Sequence, residues 1–369
     1  MTRRDGTRAV RVGAVAVGGG APVSVQTMLD DDPHDEEAII RHLERCAAAG
    51  ADIVRVTIPD VAAAGTLAAV RRRSPVPIVS DIHFDVRAAL AAIAAGTDAL
   101  RLNPGNIGGV ANVREVARAA KAKGVPIRIG VNLGSLERDL AERLRADGEP
   151  TPARVAECLV ESALRHLKLL EDEGFRDVVI SVKASNVAGT LAAYRLLAER
   201  TDCPLHVGLT EAGTFLRGTV HSSVALGALL AEGIGDTIRV SLTDAPEREV
   251  RVGLEILRAL GMRPMGPSVT SCPTCGRTRV DVKGVAERVE EALGRLYAEL
   301  GAPKAFPHVA VMGCAVNGPG EAKGADVALC GGRGEFLLFV DGEARGKLGE
   351  AEAVAAVVGE VRRKAGARG

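Results

Sequence analysis

Tryptophan is absent from the 369 residues, and aromatic side chains make up only 2% of them. So few rings leave no stacking platform for nucleic-acid bases. Net charge is missing too, because Lys+Arg and Asp+Glu both total 47. No global field draws the chain to nucleic acid or a membrane surface, and any local crowd of cations needs a local reason. No apolar run reaches the length of a membrane span, and the opening "MTRRDGTRAVRVG" lacks the apolar core of a secretion signal. A cytoplasmic chain that binds neither membrane nor nucleic acid is expected. Cysteine is sparse and odd in number, seven in all. Without a secretion signal, that count favours metal or redox use in a reducing compartment over disulfides. What is present, 47% hydrophobic beside 25% charged residues, describes a globular chain long enough for a barrel and a smaller partner.

Short β-branched runs bounded by turn residues recur along the first two thirds of the chain. They are "APVSVQTM" (21–28), "ADIVRVT" (51–57), "PIVSDIHF" (77–84), "ALRLNPG" (99–105), "PIRIGVN" (126–132), "DVVISVKAS" (177–185), "PLHVGLTEAG" (204–213) and "TIRVSLT" (237–243). Amphipathic stretches such as "EEAIIRHLERCAAAG" lie between them, closed by Gly as helices tend to be. Eight such βα units predict a parallel (β/α)8 TIM barrel over residues 1–262. The fifth unit carries an insertion at about 133–153 with no assignable form. "GMRPMGPSV" reads as a linker. Residues 263–369 then predict a smaller α+β domain. Its parts are a helix (283–301), the strand "HVAVMGC", the turn "NGPGEAK", the strand "DVALC", a hairpin and a terminal helix from about 350.

Each predicted barrel strand opens apolar and closes polar. Side chains two apart share a face, so Arg55 with Thr57, Asp81 with His83, Arg101 with Asn103, Lys183 with Ser185 and Arg239 with Ser241 point inward together. Arg128 and Asn132 share a face across Gly130, and Thr210 and Glu211 close the seventh strand. The C-terminal ends of barrel strands form the active face of this fold. Five strands deliver a cation there: Arg55, Arg101, Arg128, Lys183 and Arg239. Asp81 and Glu211 cannot neutralise five cations, so a compact polyanion, phosphate or diphosphate, is expected at this mouth. Other residues read as ordinary structure: Cys46, Cys158 and Cys203 as buried small apolar groups, Met28 as packing, and "EREVRVGLEILRAL" as a solvated helix face.

Cys272 and Cys275 in "SCPTCG" let two thiolates reach one metal centre, and Cys314 in "MGCAVNGPGE" follows an apolar strand as a natural third ligand. Iron–sulfur and zinc suit this spacing equally. Zinc would take Cys330 or His308 as a fourth ligand, and a cluster could take an oxygen of Glu321.

The ordered set "SDIHFD", "LRLNPGNIG", "IRIGVNLGSLE", "SVKAS", "LTEAG", "GIGDTIRVSL", "CPTCGR" and "GCAVNGPGEAKGAD" resembles the 4-hydroxy-3-methylbut-2-enyl diphosphate synthases of the non-mevalonate isoprenoid pathway, in their shorter bacterial form. The resemblance runs from residue 23 to about 330. It implies a 4Fe–4S cluster on Cys272, Cys275, Cys314 and Glu321, the carboxylate leaving one iron exchangeable. It also implies reductive ring opening and dehydration of 2-C-methyl-D-erythritol 2,4-cyclodiphosphate, with single electrons from flavodoxin or ferredoxin. By the same resemblance Arg55, Arg101, Arg128, Lys183 and Arg239 bind substrate, with Asn103, Asn132, Ser241 and Asn317 as hydrogen-bonding partners. Asp81, His83, Thr210 and Glu211 line the pocket, and Glu211 is the general acid. Two stretches depart from the family pattern: "QTMLDDDPHD" after the first strand, and His221 where many relatives carry Lys.

The eighth helix returns to the face opposite the mouth, and a linker of about ten residues spans at most roughly 35 Å. A head-to-tail homodimer with composite sites is therefore expected, one chain's cluster domain capping its partner's barrel. The rival reading is a redox-neutral aldolase with a structural zinc domain, in which Lys183 forms the Schiff base.

Overall fold

The computed structural model describes residues 2–103, 106–146, 148–264, 266–301, 303, 305–314, 318, 320 and 323–367. The chain divides into two compact units, Met1–Met262 and Arg263–Gly369.

After a 3-10 turn (Arg3–Gly6), the first unit forms a hairpin, β1 (Val10–Val12) and β2 (Val15–Val17), that the sequence patterns did not signal. Its two strands are only three residues each, too short for an alternation to register. Eight parallel strands follow: β3 (Ser24–Met28), β4 (Ile53–Thr57), β5 (Ile78–Asp81), β6 (Ala99–Leu102), β7 (Ile127–Asn132), β8 (Val178–Lys183), β9 (His206–Val207) and β10 (Thr237–Ile238). The ladder runs β8-β7-β6-β5-β4-β3-β10-β9, and a parallel bridge between Ile180 and Leu205 joins its ends. The sheet is thus a closed barrel, as the eight runs predicted. The last two strands are shorter than expected. Past Val207 the chain still follows its neighbours, with Arg239 N donating to Val207 O and Thr210 N to Ala184 O, but no regular ladder forms.

Helices α1 (Glu36–Ala48), α2 (Val61–Arg73), α3 (Val86–Ala94), α4 (Val110–Lys123), α5 (Arg138–Arg145), α6 (Pro152–Glu171), α7 (Val187–Arg200), α8 (Phe215–Ala231) and α9 (Pro246–Ala259) surround the barrel. Polar caps start many of them at the active-face end. Asp35, Asp60, Asp85, Thr151 and Asn186 each accept a bond from a first-turn N–H. The insertion resolves into a 3-10 turn (Leu133–Ser135), α5 and the first residues of α6.

Strand alternation sorts side chains as the period of two requires. Val54, Val56, Leu100, Ile127, Ile129 and Val182 face the helices in one large apolar cluster. Inward residues near the strand starts, Ile53, Val79, Ala99 and Val179, pack on Val10, Val12 and Val17 of the hairpin. The lower end of the barrel is an apolar plug.

The second unit is a five-stranded sheet in the order β11-β12-β13-β14-β15. Strand β11 (Ser268–Ser271) runs parallel to β12 (His308–Met312), which runs parallel to β13 (Val327–Gly331). Strands β14 (Phe336–Val340) and β15 (Glu343–Leu348) form a hairpin about Asp341 and Gly342, whose φ of 53° and 78° suit the tight turn of twisted strands. Helix α10 (Val282–Glu299) and a terminal helix (Glu350–Ala367) bury Val285, Val289, Leu293, Val357 and Val361 in this unit's core. The linker expected over 261–269 is corrected at its end. Ser268 and Val269 already belong to β11, a half-exposed edge strand too short and polar to announce itself. Among the described residues, no helix is long and apolar enough to cross a membrane.

Candidate functional site

At the C-terminal ends of the barrel strands, one cavity is lined by all five predicted cations, Arg55, Arg101, Arg128, Lys183 and Arg239. Asn132, Thr210 and Ser241 share it, as does Ser181, which the sequence reading passed over. Two glycines make this density possible. A Cβ on Gly130 would collide with the Arg101 guanidinium, and one on Gly208 would meet the Arg239 carbonyl and stand 2.9 Å from Lys183 Nζ. Any side chain at either position would displace a cation.

The counter-charges differ from those expected. Asp81, only 1% exposed, lies 3.2 Å from Arg101 Nη1, 3.7 Å from Arg55 Nε and 3.4 Å from His83 Nε2. The second carboxylate is Glu249, not Glu211. Glu249 is 3% exposed and accepts from Arg239 Nε at 3.2 Å, Thr27 Oγ1 at 2.8 Å and the backbone N–H of Leu242 at 2.9 Å. The reading of its helix as a solvated face is corrected here. Pro246, Glu249, Val250, Gly253, Ile256 and Leu257 form the buried stripe of α9, so the helical period itself put Glu249 inside. Met28 is likewise more than packing, since its sulfur accepts from Arg55 and Arg239. Among the described residues, five cations against Asp81 and Glu249 leave a surplus of three positive charges (5 − 2) around one cavity.

The electrostatics register that surplus. Burial, then Arg239, Arg128 and Arg55, push Lys183 well below the ordinary lysine value. Burial is likewise the first cause that holds Arg55 down at about 10, with Arg239 and Arg101 adding to it. Arg128 moves the same way, by burial and then by Arg55 and Arg101. Burial alone would raise Asp81, but Arg55, Arg101, His83 and Arg128 outweigh it and keep the carboxyl below its usual value.

The remaining candidates sit around the rim. His83 is half-exposed beside Asp81, and buried Asn103 donates to Ser135 O at 3.3 Å in the inserted turn. Glu211 is exposed, next to cavity-lining Thr210, with φ of 54°. A positive φ at a non-glycine residue is uncommon and concentrates where geometry serves function. The departing loop after β3 is tied down by two histidines. Asp31 meets His42 Nδ1 at 2.5 Å, and His34 bridges Asp32 at 3.0 Å to Asp60 at 3.2 Å. His221 lies half-buried on α8.

In the second unit, Cys272 directly follows β11 and Cys314 lies two residues past β12, the adjacent parallel strand. Cys272 N donates to Val311 O, and Gly313 N donates to Cys272 Sγ at 3.2 Å. Thr274, between Cys272 and Cys275, has φ of 65°, in the left-handed region. All three cysteines are at least partly exposed, whereas Cys46, Cys158, Cys203 and Cys330 are buried. Asn317 and Glu321 lie outside the described residues. His308 stands at the far end of β12, six residues and about 20 Å from Cys314 at strand rise, too far to share a metal with it.

Residues 7–254 match the GcpE TIM-barrel domain, and residues 268–363 match the GcpE protein C-terminal domain. A relative from Geobacter sulfurreducens is 54% identical over 355 residues, 96% of this chain and 97% of its own. One from Symbiobacterium thermophilum is 51% identical, covering 99% and 95%, and one from Thermodesulfovibrio yellowstonii is 47% identical, covering 98% and 100%. Each of the three is named 4-hydroxy-3-methylbut-2-en-1-yl diphosphate synthase (flavodoxin). Carrying both domains in order and half the residues of its relatives over nearly its whole length, the chain belongs to the GcpE family.

Proposed function

We propose that the chain is a reductase of a cyclic diphosphate. It takes 2-C-methyl-D-erythritol 2,4-cyclodiphosphate, opens its ring with two electrons and eliminates water, giving 4-hydroxy-3-methylbut-2-enyl diphosphate. The observation that carries this reading is the surplus of three positive charges (5 − 2) in one barrel cavity, in a chain of zero net charge. A diphosphate supplies the missing anions. The relatives' shared name supports the product and points to flavodoxin as the electron donor.

In this reading Arg55, Arg101, Arg128, Lys183 and Arg239 clamp the diphosphate, while Asp81 orients the first two and Glu249 orients Arg239. Asn132, Thr210 and Ser241 offer hydrogen bonds to substrate oxygens. His83 and Asn103 complete the rim, with Asn317 as a further partner from the second unit. Glu211, on a constrained turn beside the cavity, gives a proton to the departing hydroxyl as general acid.

The donor set of the second unit fits a 4Fe–4S cluster. Cys272, Cys275 and Cys314 are partly exposed cysteines just past the ends of adjacent strands, and Gly313 N–H already points at one sulfur. Backbone donors to sulfur of this kind tune cluster potentials. Glu321 is the proposed fourth ligand, and the cluster, when bound, supplies one-electron transfer to substrate. The return of α9 to the lower barrel face and the short segment before β11 support a head-to-tail homodimer, the cluster-bearing unit of one chain serving the barrel of its partner.

The test is metal analysis of protein purified without oxygen, followed by turnover with reduced flavodoxin. About four irons per chain and reductant-dependent loss of the cyclic diphosphate are expected. One zinc, no iron and no reductant requirement would overturn the proposal.

A further inference from the structure

Beneath the cation-lined mouth, the barrel encloses a second cavity of about 20 Å³. Val12 and Val17 of the hairpin help seal it from below, and its polar lining is Gln26, Arg128, His206 and Thr237. None of these four is more than 6% exposed. Among the described residues, no hydrogen-bond partner reaches Gln26 Oε1, Thr237 Oγ1, either ring nitrogen of His206, or Nε and Nη2 of Arg128. Each buried polar atom left unmet costs about 1–3 kcal/mol, so six around one cavity call for a shared partner.

The atoms match in kind. Arg128 brings two N–H donors, Gln26 and His206 bring acceptors, and Thr237 can do either. The cavity is large enough for about one water, which makes at most about four hydrogen bonds, enough to join the two Arg128 donors to Gln26 Oε1 and one ring nitrogen of His206. Among the described residues, Arg128 is the side chain that lines both cavities, so it is the ceiling of the lower and the floor of the upper.

We propose that His206, helped by Gln26, is a positioning residue: through water in the lower cavity it accepts the Arg128 N–H groups from below and holds the guanidinium where it meets the bound anion. This rests on reading the upper cavity as an anion site. The seat of His206 is fixed. Tyr194 Oη donates to its carbonyl at 2.7 Å, and Thr237 is its register partner on β10. Burial, then Arg128 and Lys183, push its imidazole well below the ordinary histidine value, so the ring stays neutral and keeps a nitrogen free to accept. The hairpin thereby gains a second task, keeping bulk water from loosening this arrangement.

Calorimetric binding of inorganic pyrophosphate to the full chain tests the idea without relying on turnover. His206→Leu is expected to bind about tenfold more weakly. His206→Gln, which keeps an acceptor, recovers most of that loss. In an Arg128→Ala background, His206→Leu costs nothing further, because no guanidinium remains to be held. Unchanged affinity in a folded His206→Leu chain, or a full tenfold loss without Arg128, overturns the inference while leaving the anion site standing. No pyrophosphate binding by the unaltered chain would remove the anion site and this inference together. Should His206→Leu fail to fold, Gln26→Leu carries the same comparison.

Discussion

The two ends of the barrel are built on opposite principles. Below, Ile53, Val79, Ala99 and Val179 close on the valines of the hairpin, and the charge they meet is that of Arg128, which roofs the lower cavity. Above, inward positions one or two steps further along the same strands hold Arg55, Asp81, Arg101 and Lys183. The lower end gains stability from burying apolar surface. The upper end gives stability up, because like charges are held together in a partly buried space with too few carboxylates. Such a difference is what function costs a fold: the plug can be self-sufficient, while the mouth holds more cations than its carboxylates answer.

The sharpest way to break this contrast is to remove the counter-charge at the top. Asp81→Asn leaves Arg55 and Arg101 facing each other without their shared carboxylate. It should cost about 3 kcal/mol, seen as a fall in Tm of roughly 6–12 °C. A Tm within a degree of the parent would show that the carboxylate is not needed to hold the cations.

Removing a cation should do the reverse. Lys183→Met relieves the crowd, so stability should rise by about 1 kcal/mol, while pyrophosphate affinity falls about a hundredfold. Thermal melts and calorimetry on the same preparation read both. A variant that loses stability and affinity together would contradict the trade.

At the lower end the two properties should separate. Val10→Ala removes plug volume away from both cavities and should cost about 1–2 kcal/mol, with KM for the cyclic diphosphate unchanged. A several-fold change in KM would mean that the ends are mechanically coupled.

The smallest effect is protonic. Lys183 is depressed in the free chain, and a bound polyanion raises it again. Between the depressed value and the usual 10.5, the native chain holds fewer protons than the unfolded one, so this group's contribution to stability grows as pH rises. Anion affinity moves the other way and weakens over the same range. Calorimetry in buffers of different ionisation enthalpy should show uptake of up to one proton on binding above the depressed value. Proton release would reverse the assignment.

The barrel was legible because eight short apolar runs with polar ends, spaced by amphipathic stretches, fit few other architectures. The cations were legible for the same reason, since a period of two fixes which residues face inward. Other features escaped. The hairpin's strands are too short for an alternation to register. Glu249 lies in α9 within a run rich in charge, and its place in the apolar stripe marks it as buried. His206 and Gln26 look like ordinary strand residues until the barrel closes and puts them in one chamber.

The sequence by itself determined the order of elements, the inward face of each strand, the thiol pair Cys272 and Cys275, and the excess of cation at the strand ends. These are local matters of spacing and alternation along one strand or turn. Tertiary structure alone decided which carboxylate answers Arg239, which glycines clear room for Arg101 and Lys183, and what lies beneath Arg128. Those depend on residues far apart in the chain, brought together by strand register and closure, and no one-dimensional pattern encodes a distance across a barrel.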